Sequence, residues 1–253
     1  MDNPPIPAAN TLHGSVAKHR DGDHPPPVIS VIIPILNEAA YITDTLVPLQ
    51  PWRDAGHEII IVDGGSTDQT LAVARPLADQ ILVSTRRGRA HQMNRGARAA
   101  RGNILLFLHA DTCLPDNAAQ DMIFALTAQA KGWGFYRVRF TGSGPALGLI
   151  AFMMNWRSRL TGIATGDQAI FVRRPLFEAM GGYAAIPLME DIDLSRRLKH
   201  IHTPLCLRAR VVTSSRRWER HGVWRTVFLM WRMRLAFFFG ADPGLLAQRY
   251  DLG

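Results

Sequence analysis

Residues 58–69 read E-I-I-I-V-D-G-G-S-T-D-Q, and the reading of this stretch decides the fold. Four β-branched residues in a row suit a strand buried on both faces. The run stops at Asp63 and two glycines follow. S-T-D-Q then has the form of a capping box, with Ser66 capping the next helix and Gln69 reaching back. That helix is expected to run to about residue 77. A buried strand turning straight into a helix is half of a βαβ unit. The same alternation lies on either side, with strands at 28–36, 80–85 and 103–109 and helices at 39–49 and 90–101. It predicts an α/β fold built on a parallel sheet with helices on both faces.

Beyond residue 110 the pattern is less regular. A helix is expected over 115–130, and strands over 132–140 and 167–173. Pro175 and Gly181 bracket a short helix. A helix over 191–200, a strand over 205–213 and a long helix over 222–239 complete the chain. Three parts follow: an arm over 1–27 rich in Pro, Asn, Asp and His, a main domain over 28–221, and a C-terminal helix and tail over 222–253.

The chain has 253 residues, 47% hydrophobic and 20% charged, enough for one large packed domain. Its net charge is +8, which suits a polyanionic partner or a solvated basic surface. The arginines cluster, from Arg86 to Arg101 and again from Arg208 to Arg220. The two cysteines exclude a disulfide framework and fit a reducing compartment, so a cytoplasmic location is expected. Neither a signal peptide nor a membrane-spanning run is legible.

An open parallel sheet binds its ligands beyond the carboxyl ends of the strands. Those ends carry Asn37 and Glu38, then Asp63, then the arginines up to Arg89, then His109 and Asp111. Asp63 either contacts a ligand or braces its own turn. Asp111 either holds a divalent metal on a diphosphate or caps the next element. Glu190 and Asp191 either cap a helix or supply a general base. In S-S-R-R-W over 214–218, arginine can grip a diphosphate and Trp218 can floor a sugar, or the segment is a surface strand with a half-buried Trp. On the last helix Trp224, Phe228, Trp231, Leu235 and Phe238 recur at four, three, four and three residues, so they share one face. That face packs on the domain, docks on a membrane surface or forms a homodimer seam.

Over about residues 29–220 the ordered motifs S-V-I-I-P-I-L-N-E, I-V-D-G-G-S-T-D, L-F-L-H-A-D and M-E-D resemble glycosyltransferase family 2, with its Rossmann-like GT-A fold. H-A-D-T-C-L-P, G-D-Q-A-I-F-V-R-R and S-S-R-R-W-E-R-H-G resemble its bacterial radical-SAM/selenodomain-associated transferase 2 branch, whose members are often labelled arsenosugar-biosynthesis glycosyltransferases. The resemblance implies that Pro34, Asn37 and Glu38 line a nucleotide pocket and that Asp63 contacts the base. It implies that Asp111 holds Mn²⁺ or Mg²⁺, that Asp191 is the base of an inverting displacement, and that Arg217 and Trp218 end a Q-x-x-R-W motif. Arg89 is expected beside the diphosphate.

Two positions depart from the family pattern. His109 replaces the first acid of D-x-D, where it either ligates metal or contacts ribose or phosphate. Ser214 replaces the glutamine of Q-x-x-R-W, which argues against a processive polymer synthase. The implied partners are a UDP- or GDP-linked sugar and a small-molecule or lipid acceptor, without nucleic acid. Two further readings stand beside the soluble transferase. One is a polyprenyl-phosphate glycosyltransferase, peripheral on the inner face of the plasma membrane. The other is a non-catalytic nucleotide-sugar-binding protein.

Overall fold

The computed structural model describes residues 29–251, and the expected arm over 1–27 lies outside the described residues. Eight strands form one sheet: β1 (Ile29–Ile35), β2 (Glu58–Asp63), β3 (Gln80–Val83), β4 (Ile104–Phe107), β5 (Thr112–Cys113), β6 (Trp133–Phe140), β7 (Ile170–Arg173) and β8 (Leu205–Thr213). The helices are α1 (Ile42–Leu46), α2 (Gln50–Asp54), α3 (Thr70–Ala74), α4 (Arg89–Ala99), α5 (Ala118–Ala128) and α6 (Pro145–Thr161). They continue as α7 (Arg174–Ala179), α8 (Glu190–Ile201), α9 (Arg216–His221), α10 (Val223–Phe238) and α11 (Pro243–Asp251).

The strand order is β3-β2-β1-β4-β7-β6-β8-β5. The first four are parallel, as the alternation predicts. β7 then enters antiparallel against β4, β6 is antiparallel to β7, and β8 runs parallel to β6. Every residue of β1, β2 and β4 is buried. The period of two explains how. Val31, Ile59 and Leu106 enter one core layer, covered by Ile42 and Leu46 of α1 and Met122 of α5. Ile32, Ile60 and Leu105 enter the other, covered by Met93 and Ala97 of α4 and Leu194 and Leu198 of α8. Gly96 lets α4 sit close on the sheet, because a Cβ there would lie 2.5 Å from the Ile32 side chain.

Four local expectations change. Ser66 caps no helix: α3 starts at Thr70, and Gln69 ahead of it makes no capping bond. The Ser66 oxygen instead accepts from the Asn37 amide at 2.9 Å, while its hydroxyl donates to the Asp63 carboxylate at 2.6 Å. Asp68 takes over, accepting from the Thr70 amide at 3.0 Å. Residues 216–221 are the helix α9 rather than a surface strand. A helix of 17 residues, α6, occupies a stretch with no expected element, bracketed by Pro145 and by Gly162 at φ 68°.

The last change concerns α10. Its stripe does not pack on the domain, since Trp224, Phe228, Trp231, Leu235 and Phe238 are each at least 60% exposed. The opposite side holds the helix down: Met233 packs with Met189 and Ile192 of the α8 start and Leu246 of α11. No helix among the described residues is long and apolar enough to cross a membrane.

Candidate functional site

The carboxyl ends of β1 and β4 open onto a cavity of about 530 Å³, with a second of about 390 Å³ beside it. Asp111, Ser214 and Arg216 line both. One wall is built around Arg216, the first residue of α9. A terminal nitrogen of its guanidinium donates to the Glu38 carboxylate at 3.2 Å and to the Asp111 carboxylate at 3.3 Å. The guanidinium carbon lies 3.6 Å from the centre of the Tyr41 ring, a cation–π contact. Partial burial works against the charge of Arg216, but Glu38, Tyr41 and Asp111 outweigh it and raise its pKa. The chain brings these groups together because β5 pairs with β8, and the Asp111 carbonyl accepts from the Ser214 amide at 3.2 Å.

The facing wall comes from the turn before β7 and the start of α8. The Asp191 carboxylate accepts from the Gly166 amide and from the Ile192 amide, each at 2.7 Å. Glu190 beside it is buried. Burial first, and then the Asp191 charge, push its pKa up from 4.5 to about 7, against the pull of Arg89 and His109. Arg89, at the start of α4, lines the same cavity. Desolvation opposes its charge, while Glu190, Asp167 and Asp191 raise its pKa. Arg234 enters from the inner flank of α10. Arg157 of α6 stands near it, its pKa pushed down to about 9 by burial and by Arg234.

His109 Nδ1 lies 3.2 Å from an Asp167 carboxylate oxygen, and Nε2 faces Gly166 so closely that a Cβ there would collide with it. Arg89 is fixed from beneath by Gln92, one turn along α4. The buried Gln92 amide donates to the Ile35 carbonyl at 2.9 Å and to the Val62 carbonyl at 2.8 Å, joining the ends of β1 and β2.

The expected site residues divide into two groups. Glu38, Arg89, His109, Asp111, Asp191 and Trp218 all line the larger cavity. Pro34 is buried within β1, opposite Val62, and lines neither cavity. Asn37 holds a left-handed φ of 55° and accepts from the Thr67 amide at 2.8 Å. Asp63 also lines neither cavity. Its carboxylate accepts from the Gly65 amide, the Ser66 amide and the Ser66 hydroxyl, so it braces the turn. The side chain of Arg217 lies outside the described residues. Asp167 and Arg234 carry no site expectation from the sequence, and S-S-R-R-W does not say that Arg216 is the arginine that meets Glu38 and Asp111. The adjacent arginines of S-S-R-R-W were the one available signal for Arg216.

Among the described residues no group of three or more His, Cys, Asp or Glu side chains is placed to hold a metal ion. The donor set nevertheless suits a hard divalent ion bound together with a diphosphate. Such ions often take only one or two protein carboxylates and complete their shell with phosphate oxygens and water. Asp111 and Glu38, converging on one cationic group, offer that number. Ligation by His109 would need its ring to leave Asp167 or Gly166.

Residues 30–176 match the family model described as Glycosyl transferase family 2. A PGL/p-HBAD biosynthesis glycosyltransferase of Mycobacterium tuberculosis is 32% identical over 171 residues, covering 62% of this chain and 63% of the relative. The Beta-monoglucosyldiacylglycerol synthase of Synechocystis is 27% identical over 198 residues, covering 70% of this chain and 41% of the relative. The chain therefore spans less than two thirds of the length of these curated relatives. Among solved structures, S. aureus TarS in complex with UDP-GlcNAc is similar with a TM-score of 0.60 at 18% identity, over 74% of this chain and 58% of that one. Mannosyltransferase PcManGT from Pyrobaculum calidifontis, in complex with GDP-Man and Mn²⁺, is similar with a TM-score of 0.60 at 22% identity, over 83% of this chain and 61% of that one. At these identities the structural likeness establishes the fold.

Proposed function

Because the chain belongs to glycosyltransferase family 2, we propose that it moves a single sugar from a nucleoside-diphosphate donor to an acceptor hydroxyl, with inversion at the anomeric carbon. One observation carries this reading. Arg216 with Asp111 and Glu38, and the Glu190–Asp191 pair with Arg89, line one cavity at the carboxyl ends of parallel strands. The first group suits the charge that grows on a leaving diphosphate. The second suits removal of a proton from the attacking hydroxyl. The similar structures that hold UDP-GlcNAc and GDP-Man support a UDP- or GDP-linked donor.

In this reading Asp191 is the base. The Gly166 and Ile192 amides orient its carboxylate, and each oxygen keeps a lone pair for the acceptor proton. Burial and the neighbouring Asp191 charge raise the Glu190 pKa to about 7, so Glu190 takes up a proton far more readily than an exposed glutamate and can do so beside the base. One base is enough, because a diphosphate leaves without needing a proton. A divalent ion, Mn²⁺ or Mg²⁺, held by Asp111, would neutralise part of the diphosphate charge, and His109 would hold the wall beside it in place. Asn37 and Asp63 would frame the nucleotide through the loop they brace. Trp218, edge-on to Phe140 at 5.5 Å, would floor the sugar. Membership of the radical-SAM/selenodomain-associated branch rests on the quoted motifs and belongs to the same proposal.

Asp191→Asn tests it at saturating donor. A loss of about 10²–10⁴-fold in transfer, with an inverted anomeric configuration in the wild-type product, is expected. Near-normal transfer by the variant overturns Asp191 as base, and full activity in excess EDTA overturns the metal. A second reading gives the acceptor a lipid anchor, such as a polyprenyl phosphate, met at the inner face of the plasma membrane. It is favoured by the outward aromatic stripe of α10.

A further inference from the structure

Two helices turn apolar side chains outward beside the cavity. On α6 the exposed residues are Leu149, Phe152, Met153, Trp156 and Leu160, which recur at helical spacing on one side. On α10 they are Trp224, Phe228, Trp231, Leu235 and Phe238. The helices meet through a shared apolar cluster, in which Leu147, Ile150 and Ala151 of α6 pack with Val223 and Val227 of α10. Each therefore has an inner side in the protein and an outer side in solvent. Scattered exposed apolar residues are ordinary, but one stripe on each of two helices that pack together calls for a partner.

The charges on these helices select the partner. Neither the 17 residues of α6 nor the 16 of α10 include an aspartate or glutamate. Both carry arginines, and Arg159, Arg225 and Arg232 are exposed. A two-fold interface between copies of this chain would set this patch against itself, arginines facing arginines with no acid on either helix to meet them. An anionic lipid surface offers apolar depth and negative headgroups together. Tryptophan suits that boundary, with an apolar ring and a polar N–H. Trp156, Trp224 and Trp231 are 60%, 67% and 60% exposed.

We propose that the outer sides of α6 and α10 form one docking face that seats the protein on an anionic bilayer surface, with the helices lying in the interface rather than crossing it. The inner flank of α10 gives Met230 and Arg234 to the cavity wall. One helix thus touches lipid on its outside and the site on its inside, and a lipid-borne acceptor would reach the cavity along it. That last step rests on the transfer reading. The docking face does not.

The test is co-sedimentation of the full chain, without substrate, with vesicles of phosphatidylcholine alone and of an equal mixture with phosphatidylglycerol. Wild type is expected to bind the mixed vesicles and to be released by salt. The triple change Trp156→Ser, Trp224→Ser and Trp231→Ser is expected to bind them at least roughly tenfold more weakly, with an unchanged melting temperature. Arg225→Glu with Arg232→Glu is expected to remove the preference for the anionic vesicles. Undiminished binding by the triple variant overturns the face. So does a wild-type chain that ignores both vesicles and forms a concentration-dependent dimer that the triple variant abolishes.

Discussion

Asp63 and Asp111 lie at the same edge of the sheet and are held in opposite ways. Asp63 is buried at the end of β2, and among the described residues the donors on its carboxylate come from Gly65 and Ser66. Asp111 follows β4, and among the described residues its carboxylate receives its donor from Arg216, 105 residues later. A carboxylate satisfied by its own turn is part of the scaffold. One held by a single distant arginine keeps lone pairs for a ligand, and its partner can share the same anion. Position at the ligand edge thus says where a group can act, and the origin of its hydrogen bonds says whether it is committed elsewhere.

This contrast yields four expectations. Asp111→Ala is expected to cost about 10²–10³-fold in kcat for sugar transfer, while shifting stability by under about 1 kcal/mol. A urea titration that moved as far as the activity would erase the distinction. Asp63→Ala removes the acceptor of two part-buried amides and of the Ser66 hydroxyl, and is expected to lower stability by roughly 2–3 kcal/mol, read from the same titration.

Glu190→Gln comes next. Glu190 is protonated more readily in the folded chain than in the unfolded one, its pKa rising from 4.5 to about 7. Its stabilising contribution is therefore complete below 4.5 and is lost as pH rises through about 7. The glutamine variant is expected to flatten that decline, by about 3 kcal/mol across the window. An unchanged pH dependence would place the proton elsewhere. The smallest effect is expected from Gly166→Ala, whose methyl group displaces His109 and costs about 1–2 kcal/mol. A melting temperature equal to wild type would show that the turn yields freely.

The parallel half of the sheet was legible because β-branched runs with no polar break, each followed by a helix, leave few alternatives. The place of Asp111 at the cavity was legible through the edge logic, and that of Asp191 through the M-E-D motif at a helix start. The bonding of Asp63 was not, since a strand-end aspartate before two glycines has the same letters whether it turns inward or outward. Arg216 was hidden in a pair of adjacent arginines, because only the fold brings its guanidinium to Glu38 and Asp111. The raised pKa of Glu190 depends on burial and on the Asp191 charge, which only the fold assembles. Periodicity found the stripe on α10 but not its surroundings, because spacing identifies a face and says nothing of what meets it. The helix α6 was missed because its apolar residues spread around the axis, leaving Pro145 and Gly162 as its only marks.

The Gln92 clamp has a use beyond architecture. It fastens α4 to the carbonyls of Ile35 and Val62, so Arg89 is carried by the sheet and not by the segment over 84–88 that precedes it. That segment is therefore a graftable part. Its length and composition can be varied to look for altered donor choice while the cation beside it stays registered, and Gln92 is the residue to leave untouched in any such library.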